Sequence, residues 1–204
     1  MNRTQKDCSL NSIYLVLDMQ NDLVNPEDAS RSNPLAEQAR GRGIVERTAR
    51  AIGAARNAGV AVGFVRVGFS SNYHECPAGS PLFSGAPRAG LFKLGSRGAE
   101  LHPDLDARET DIHVIKHRVS PFYATTLMAQ LSALRVQRIY CSGVSTQAVV
   151  QAAVRDAHDR DFDVVLFEDC CAAHSAEEHA NSIQSLARFC RVARFDDTGF
   201  GAAP

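Results

Sequence analysis

Three short stretches carry side chains that could do chemistry. Asp18 ends an apolar run, SIYLVLD (12–18), and Lys116 closes another within DIHVIKH (111–117). The turn GVST (143–146) leads into the helical segment QAVVQAAVRDAHDR. A carboxylate can carry a proton to or from a reacting group, and an ammonium beside it favours its ionised form. The first turn of a helix adds N–H groups that lack intrahelical partners, which suits a developing negative charge or a reactive thiol. Yet the residues after GVST are Gln147, Ala148, Val149 and Val150, none of them a strong nucleophile. Structural roles compete at each place. A strand-terminal Asp can cap a turn, as Asn21 and Asp22 also could, and a lysine in an apolar run needs a carboxylate or an exit to solvent.

The elements that must hold these residues follow from periodicity. Apolar runs rich in β-branched residues recur at 12–18, 61–67, 111–117, 138–143, 162–169 and 191–195, with segments of helical period between most of them. GIVERTARAIGAARNAG places Ile44, Val45, Ala49, Ile52 and Ala55 on one stripe and puts Gly59 where a helix ends. Strands alternating with helices, and strands that read as continuous apolar runs, predict a parallel sheet covered on both faces. Right-handed crossovers narrow this to a three-layer, doubly wound α/β domain spanning 1–204. The stretch 68–106, rich in Gly, Pro and Ser, shows neither period and reads as a long loop, a lid or an oligomer contact. Ligands of such sheets bind beyond the carboxyl ends of the strands, where all three chemical features fall.

Composition narrows the partners. Lys and Arg (22) nearly balance Asp and Glu (23) and do not cluster, so neither nucleic acid nor an anionic membrane is expected, and a small molecule is. The polar start, MNRTQKDCSLNS, lacks the apolar stretch of a signal peptide, and no later segment suits a membrane span. Six irregularly spaced cysteines read as reduced thiols, and together these features predict a cytoplasmic protein.

DMQND after the first run, the pattern I-K-x-R-x-S-x-F-Y-x-T after the third, GVST before a helix and VLFEDCCAAHSAEEH after the fifth resemble the isochorismatase-like superfamily, also called the cysteine hydrolases. The resemblance runs from about Ile13 to about Phe189. It implies six parallel strands in the order 3-2-1-4-5-6, and a homodimer or homotetramer. It also implies that Asp18 moves protons and that Lys116 stabilises charge beside it. In the family a cis peptide before the residue matching Ser145 aims that residue's N–H into an oxyanion hole. The cysteine of the family's G-V-x-T-x-x-C motif falls on Val149, whose backbone N–H still supplies the hole's second donor. Isochorismatases act without that cysteine, cleaving a vinyl ether.

The expectation is therefore an isochorismatase-like hydrolase that attacks a C–N or vinyl-ether bond of a small, anionic or carbonyl-bearing molecule by acid–base chemistry. Arg66 and Arg118 would grip a carboxylate or carbonyl, or else pair with Asp18 and Asp22. Phe122 and Tyr123 would wall the pocket. Thr146 would cap the helix, Cys141 would pack within its strand, and Cys170 or Cys171 could edge the pocket. His74 and Cys76, with His102 or Asp104, are a thin basis for zinc and read as loop residues, so no metal or cofactor is expected. The rival expectation is an inactive family member that binds a metabolite or a protein partner in the same pocket.

Overall fold

The computed structural model describes residues 11–26 and 33–200. Among them, six strands form one all-parallel sheet: β1 (Ser12–Leu17), β2 (Ala61–Val67), β3 (Ile112–Lys116), β4 (Arg138–Val144), β5 (Asp163–Ala172) and β6 (Arg191–Ala193). Their order is β3-β2-β1-β4-β5-β6, as expected. The helices are α1 (Asn21–Val24), α2 (Pro34–Gly41), α3 (Ile44–Asn57), α4 (Ala86–Ala89), α5 (Leu127–Ala133), α6 (Gln151–His158), α7 (Ala176–Leu186) and α8 (Phe195–Thr198). A π-helical turn, Thr146–Val150, joins β4 to α6.

The period of two along β1 divides the core. Ile13, Leu15 and Leu17 pack on one face with Leu127 and Leu131 of α5, Val154 of α6 and Leu186 of α7. Tyr14 and Val16 pack on the other with Leu35 of α2 and Ile44 and Ile52 of α3. The buried stripe of α3 is Ile44, Thr48, Ala51, Ile52 and Ala55, turned slightly from the expected one. Gly59 follows its end with φ +71°, a conformation costly for other residues.

Three details depart from the sequence reading. β3 is an edge strand, so Val114 and Lys116 are buried while Ile115 between them is 38% exposed. β5 runs on to Ala172, which places Cys170 and Cys171 inside the strand and away from the cavity described below. Burial pushes the Cys171 thiol up to about 12, and that of Cys141 well above its usual range. α2 was not expected, although Asn33 accepts a hydrogen bond from the Ala36 N–H (3.0 Å) and Pro34 opens its first turn.

The stretch 68–106 is packed rather than featureless. It holds α4 and two 3₁₀ turns, and Phe69, Phe83 and Ala86 form a small core with Val67 of β2. Gln20, fully buried, ties it to the sheet: its amide donates to Val67 O (2.8 Å) and Ala99 O (2.9 Å) and accepts from Val67 N (2.8 Å). Asp22 accepts a further bond from the Phe92 N–H at 2.7 Å. These bonds fix the segment over the carboxyl end of β1.

Candidate active site

The site is built where strand order reverses, between β1 and β4. Leu17 pairs with Gly143, and the two chains approach so closely that a Cβ on Gly143 would overlap the Leu17 carbonyl oxygen. Gly143 also has φ +137°, so both space and backbone demand glycine. This contact sets Asp18, next after Leu17, beside Val144 and Ser145, whose connecting peptide is cis. Asp18 itself has φ +53°, a left-handed conformation that aspartate tolerates better than most residues. Its N–H is held by Val65 O at 2.8 Å.

Lys116 reaches the same point from the end of β3. Its Nζ lies 2.9 Å from Asp18 Oδ2 and donates a second bond to Arg118 O at 3.1 Å. The pair is dry: the two side chains are 1% and 8% exposed. The other carboxylate oxygen, Asp18 Oδ1, is buried and has no hydrogen-bond partner among the described residues. Burial pushes the Asp18 carboxyl above its usual range, and the charge and hydrogen bond of Lys116 offset only part of that push. Asp18 therefore gives up its proton at a higher pH than a solvated carboxyl does.

Asp18, Lys116, Ser145 and Val149 line one cavity of about 220 Å³. Leu82, Phe83, Leu91 and Phe92, all from the 68–106 stretch, supply much of its wall. His174, just beyond β5, stands at its edge and is hydrogen-bonded through Nδ1 to the Gln147 side chain. Sequence reasoning did not single out these five residues. The paired apolar residues LF at 82–83 and 91–92, inside an otherwise polar stretch, were the available signal.

The turn after β4 is anchored from below. Thr146 is fully buried, and its hydroxyl bonds His179 Nδ1 (2.9 Å) and not the helix end, which corrects the expectation of a cap. His179 Nε2 faces Glu168 Oε2 at 3.3 Å, and Glu168 pairs with Arg42 at 3.0 Å. With the carboxylate accepting from Nε2–H, Nδ1 is left to accept from the threonine hydroxyl. Burial, with the nearby Arg42 charge, lowers the His179 pKa, consistent with a neutral ring.

Four expected substrate contacts lie elsewhere. Val67 lines the cavity, so Arg66, one residue earlier on β2, projects from the opposite face, where it pairs with Glu100 at 2.8 Å. The guanidinium of Arg118 donates to Glu75 O (2.9 Å) and His117 O (2.7 Å); only its backbone carbonyl approaches the site, through Lys116. Phe122 is buried in the core beyond the sheet and stacks on Phe162. Tyr123 is 63% exposed. The chain turns away after β3, with Ser120 bonded to Asp156 of α6, and carries both rings off with it.

Fold and site together define a doubly wound α/β protein with a ligand-sized cavity and a buried carboxylate–ammonium pair at its topological switch point. Residues 12–197 match the isochorismatase domain, and the chain belongs to this family of isochorismatase-like hydrolases. It is 34% identical over 152 residues to the isochorismatase family protein YecD of Escherichia coli O157:H7, covering 74% of this chain and 77% of that one. A ureidoacrylate amidohydrolase of Methylorubrum extorquens is 28% identical over 187 residues, covering 81% and 70%. Among solved structures, an isochorismatase family protein of Desulfovibrio vulgaris superposes with a TM-score of 0.80 at 23% identity, covering 92% and 97%. The nicotinamidase of Bacillus subtilis gives 0.71 at 21% identity, covering 91% and 100%. These two likenesses concern the fold. Among the described residues no helix is long and apolar enough to cross a membrane.

Proposed function

We propose that the protein hydrolyses a small molecule by non-covalent acid–base chemistry, with Asp18 moving the proton and Lys116 balancing its charge. The observation that supports this most directly is the state of Asp18: one oxygen bonded to Lys116, the other buried without a partner among the described residues, in a residue that lines the cavity. A buried, half-satisfied carboxylate is costly for a scaffold and useful to a catalyst.

With an amide, Oδ1 takes a proton from water as the water oxygen bonds to the carbonyl carbon. The C–N bond then breaks as Asp18 returns that proton to the departing nitrogen, leaving a carboxylic acid and an amine. Backbone N–H groups of Ser145 and Val149 are the candidates to hold the oxyanion between those steps. With a vinyl ether, protonated Asp18 instead donates to the terminal vinyl carbon, and water adds to the resulting cation as Asp18 takes a proton back from it. Asp18 passes that proton to the ether oxygen as the C–O bond breaks, and recovers the hydroxyl proton as the carbonyl forms, leaving a ketone and an alcohol. Val149, in the column where the family's thiol is expected, offers its N–H but no sulfur, so neither route passes through a covalent enzyme intermediate. A homodimer or homotetramer in the cytoplasm completes the reading. A rival, in which the protein binds a metabolite or a protein partner without turnover, draws support from the aliphatic Val149 beside the pair.

The test is a screen of the purified protein against carboxamides, carbamoyl compounds and enolpyruvyl ethers, with Asp18→Asn as control. Turnover that disappears in the variant supports the proposal. Turnover unchanged by Asp18→Asn removes Asp18 from the mechanism, and binding without turnover in any class favours the rival.

A further inference from the structure

The cavity's walls say more about its occupant than the expected charges did. With Arg66 and Arg118 engaged elsewhere, Lys116 is the only Lys or Arg among the described residues lining it, and that ammonium is already committed to Asp18 and to the Arg118 carbonyl. Away from the pair, the described walls are mainly aliphatic and aromatic: Leu23, Leu35, Leu82, Phe83, Leu91 and Phe92. A carboxylate on the substrate would lose its water against these side chains and would lie near the Asp18 carboxylate as well.

We propose, resting on the hydrolase reading above, that the substrate is an uncharged carboxamide or ester whose non-reacting end is an apolar group, and that the 68–106 segment sets this preference through Leu82, Phe83, Leu91 and Phe92. The volume sets a limit on that group. An apolar cavity of about 150 Å³ takes up benzene, so about 220 Å³ holds a ring or a short alkyl chain together with the reacting carbonyl.

The experiment compares pentanamide with glutaramate, an amide of the same chain length that ends in a carboxylate. Dissociation constants come from ligand-observed NMR and kcat/KM from ammonia release. Pentanamide is expected to bind at least about tenfold more tightly, and each methylene from acetamide to pentanamide to add about fourfold. Leu82, 60% exposed, can be replaced without hollowing the core, and Leu82→Arg should narrow the gap between the two amides by supplying a cation at the rim. Preference of the wild type for glutaramate, or binding of neither amide, overturns this inference. Turnover of glutaramate in preference to pentanamide, lost in Asp18→Asn, would overturn it while leaving the hydrolase reading standing. Preferential binding of pentanamide without turnover would support the apolar site and count against the hydrolase reading.

Discussion

Replacing Asp18 by Asn separates the energetics of the site from its chemistry. The change removes one charge of a pair held at 2.9 Å and leaves the Lys116 ammonium, 1% exposed, facing a neutral amide and one carbonyl. Breaking a buried pair from one side costs about 3–5 kcal/mol, because the remaining charge is stranded. At about 2–4 °C per kcal/mol for a chain of this size, the melting temperature should fall by about 6–20 °C. The double variant Asp18→Asn/Lys116→Met removes the stranded charge and should regain most of that loss, since buried pairs replaced by apolar groups are often neutral or better. Activity should not return with stability: loss of general acid–base catalysis costs about 10²–10⁴-fold, and no other described carboxylate lines the cavity. Calorimetry and a turnover assay on the same samples test both halves. A double variant that is stable and turns over within tenfold of the wild type would refute the role given to Asp18; an Asp18→Asn variant that melts with the wild type would refute the energetic coupling.

Because burial raises the Asp18 pKa, the folded protein holds this proton more readily than the unfolded chain. The stability Asp18 contributes is therefore full below its unfolded value and declines as pH rises through the folded one. Urea midpoints measured against pH should show this decline in the wild type and lack it in Asp18→Asn. For amide hydrolysis, kcat/KM should rise with pH as Asp18 ionises, and Lys116→Met should move that rise to higher pH; a limb unmoved by Lys116→Met would assign the titration to another group. Val149→Cys should introduce a thiol that iodoacetamide alkylates faster than Cys141 or Cys171, whose thiols burial pushes up, as read by mass spectrometry; labelling no faster than at those two would show that the turn does not activate a nucleophile. Gly143→Ala should lower stability by at least about 3 kcal/mol, because the methyl group meets the Leu17 carbonyl and the backbone stays at positive φ; a smaller loss in urea titrations would mean that β1 and β4 can separate at little cost.

Much of this molecule is written in local pattern. Runs such as SIYLVLD and FDVVLFED set the strands, the intervening helical period sets the layers, and crossover handedness then leaves few ways to wind them. Asp18 and Lys116 were legible as a potential pair because each interrupts or ends an apolar run, where a lone charge is hard to explain. GVST was legible as a turn onto a helix for the same kind of local reason. The extension of β5 past Asp169 was not, because Cys170, Cys171 and Ala172 suit a strand or a turn equally until β4 is beside them.

The cavity's lining was decided by tertiary structure. Nothing local to Arg66 says that Glu100 will claim it, and nothing local to Phe122 says that it will stack on Phe162, forty residues away. The Leu-Phe pairs of the 68–106 stretch become a wall only because Gln20 and Asp22 pin that stretch across the end of β1. Amino-acid type and spacing determined which groups could react, since ionisation and strand period are properties of a short segment. What those groups face depends on contacts between residues far apart in the chain, and those exist only once the sheet has assembled.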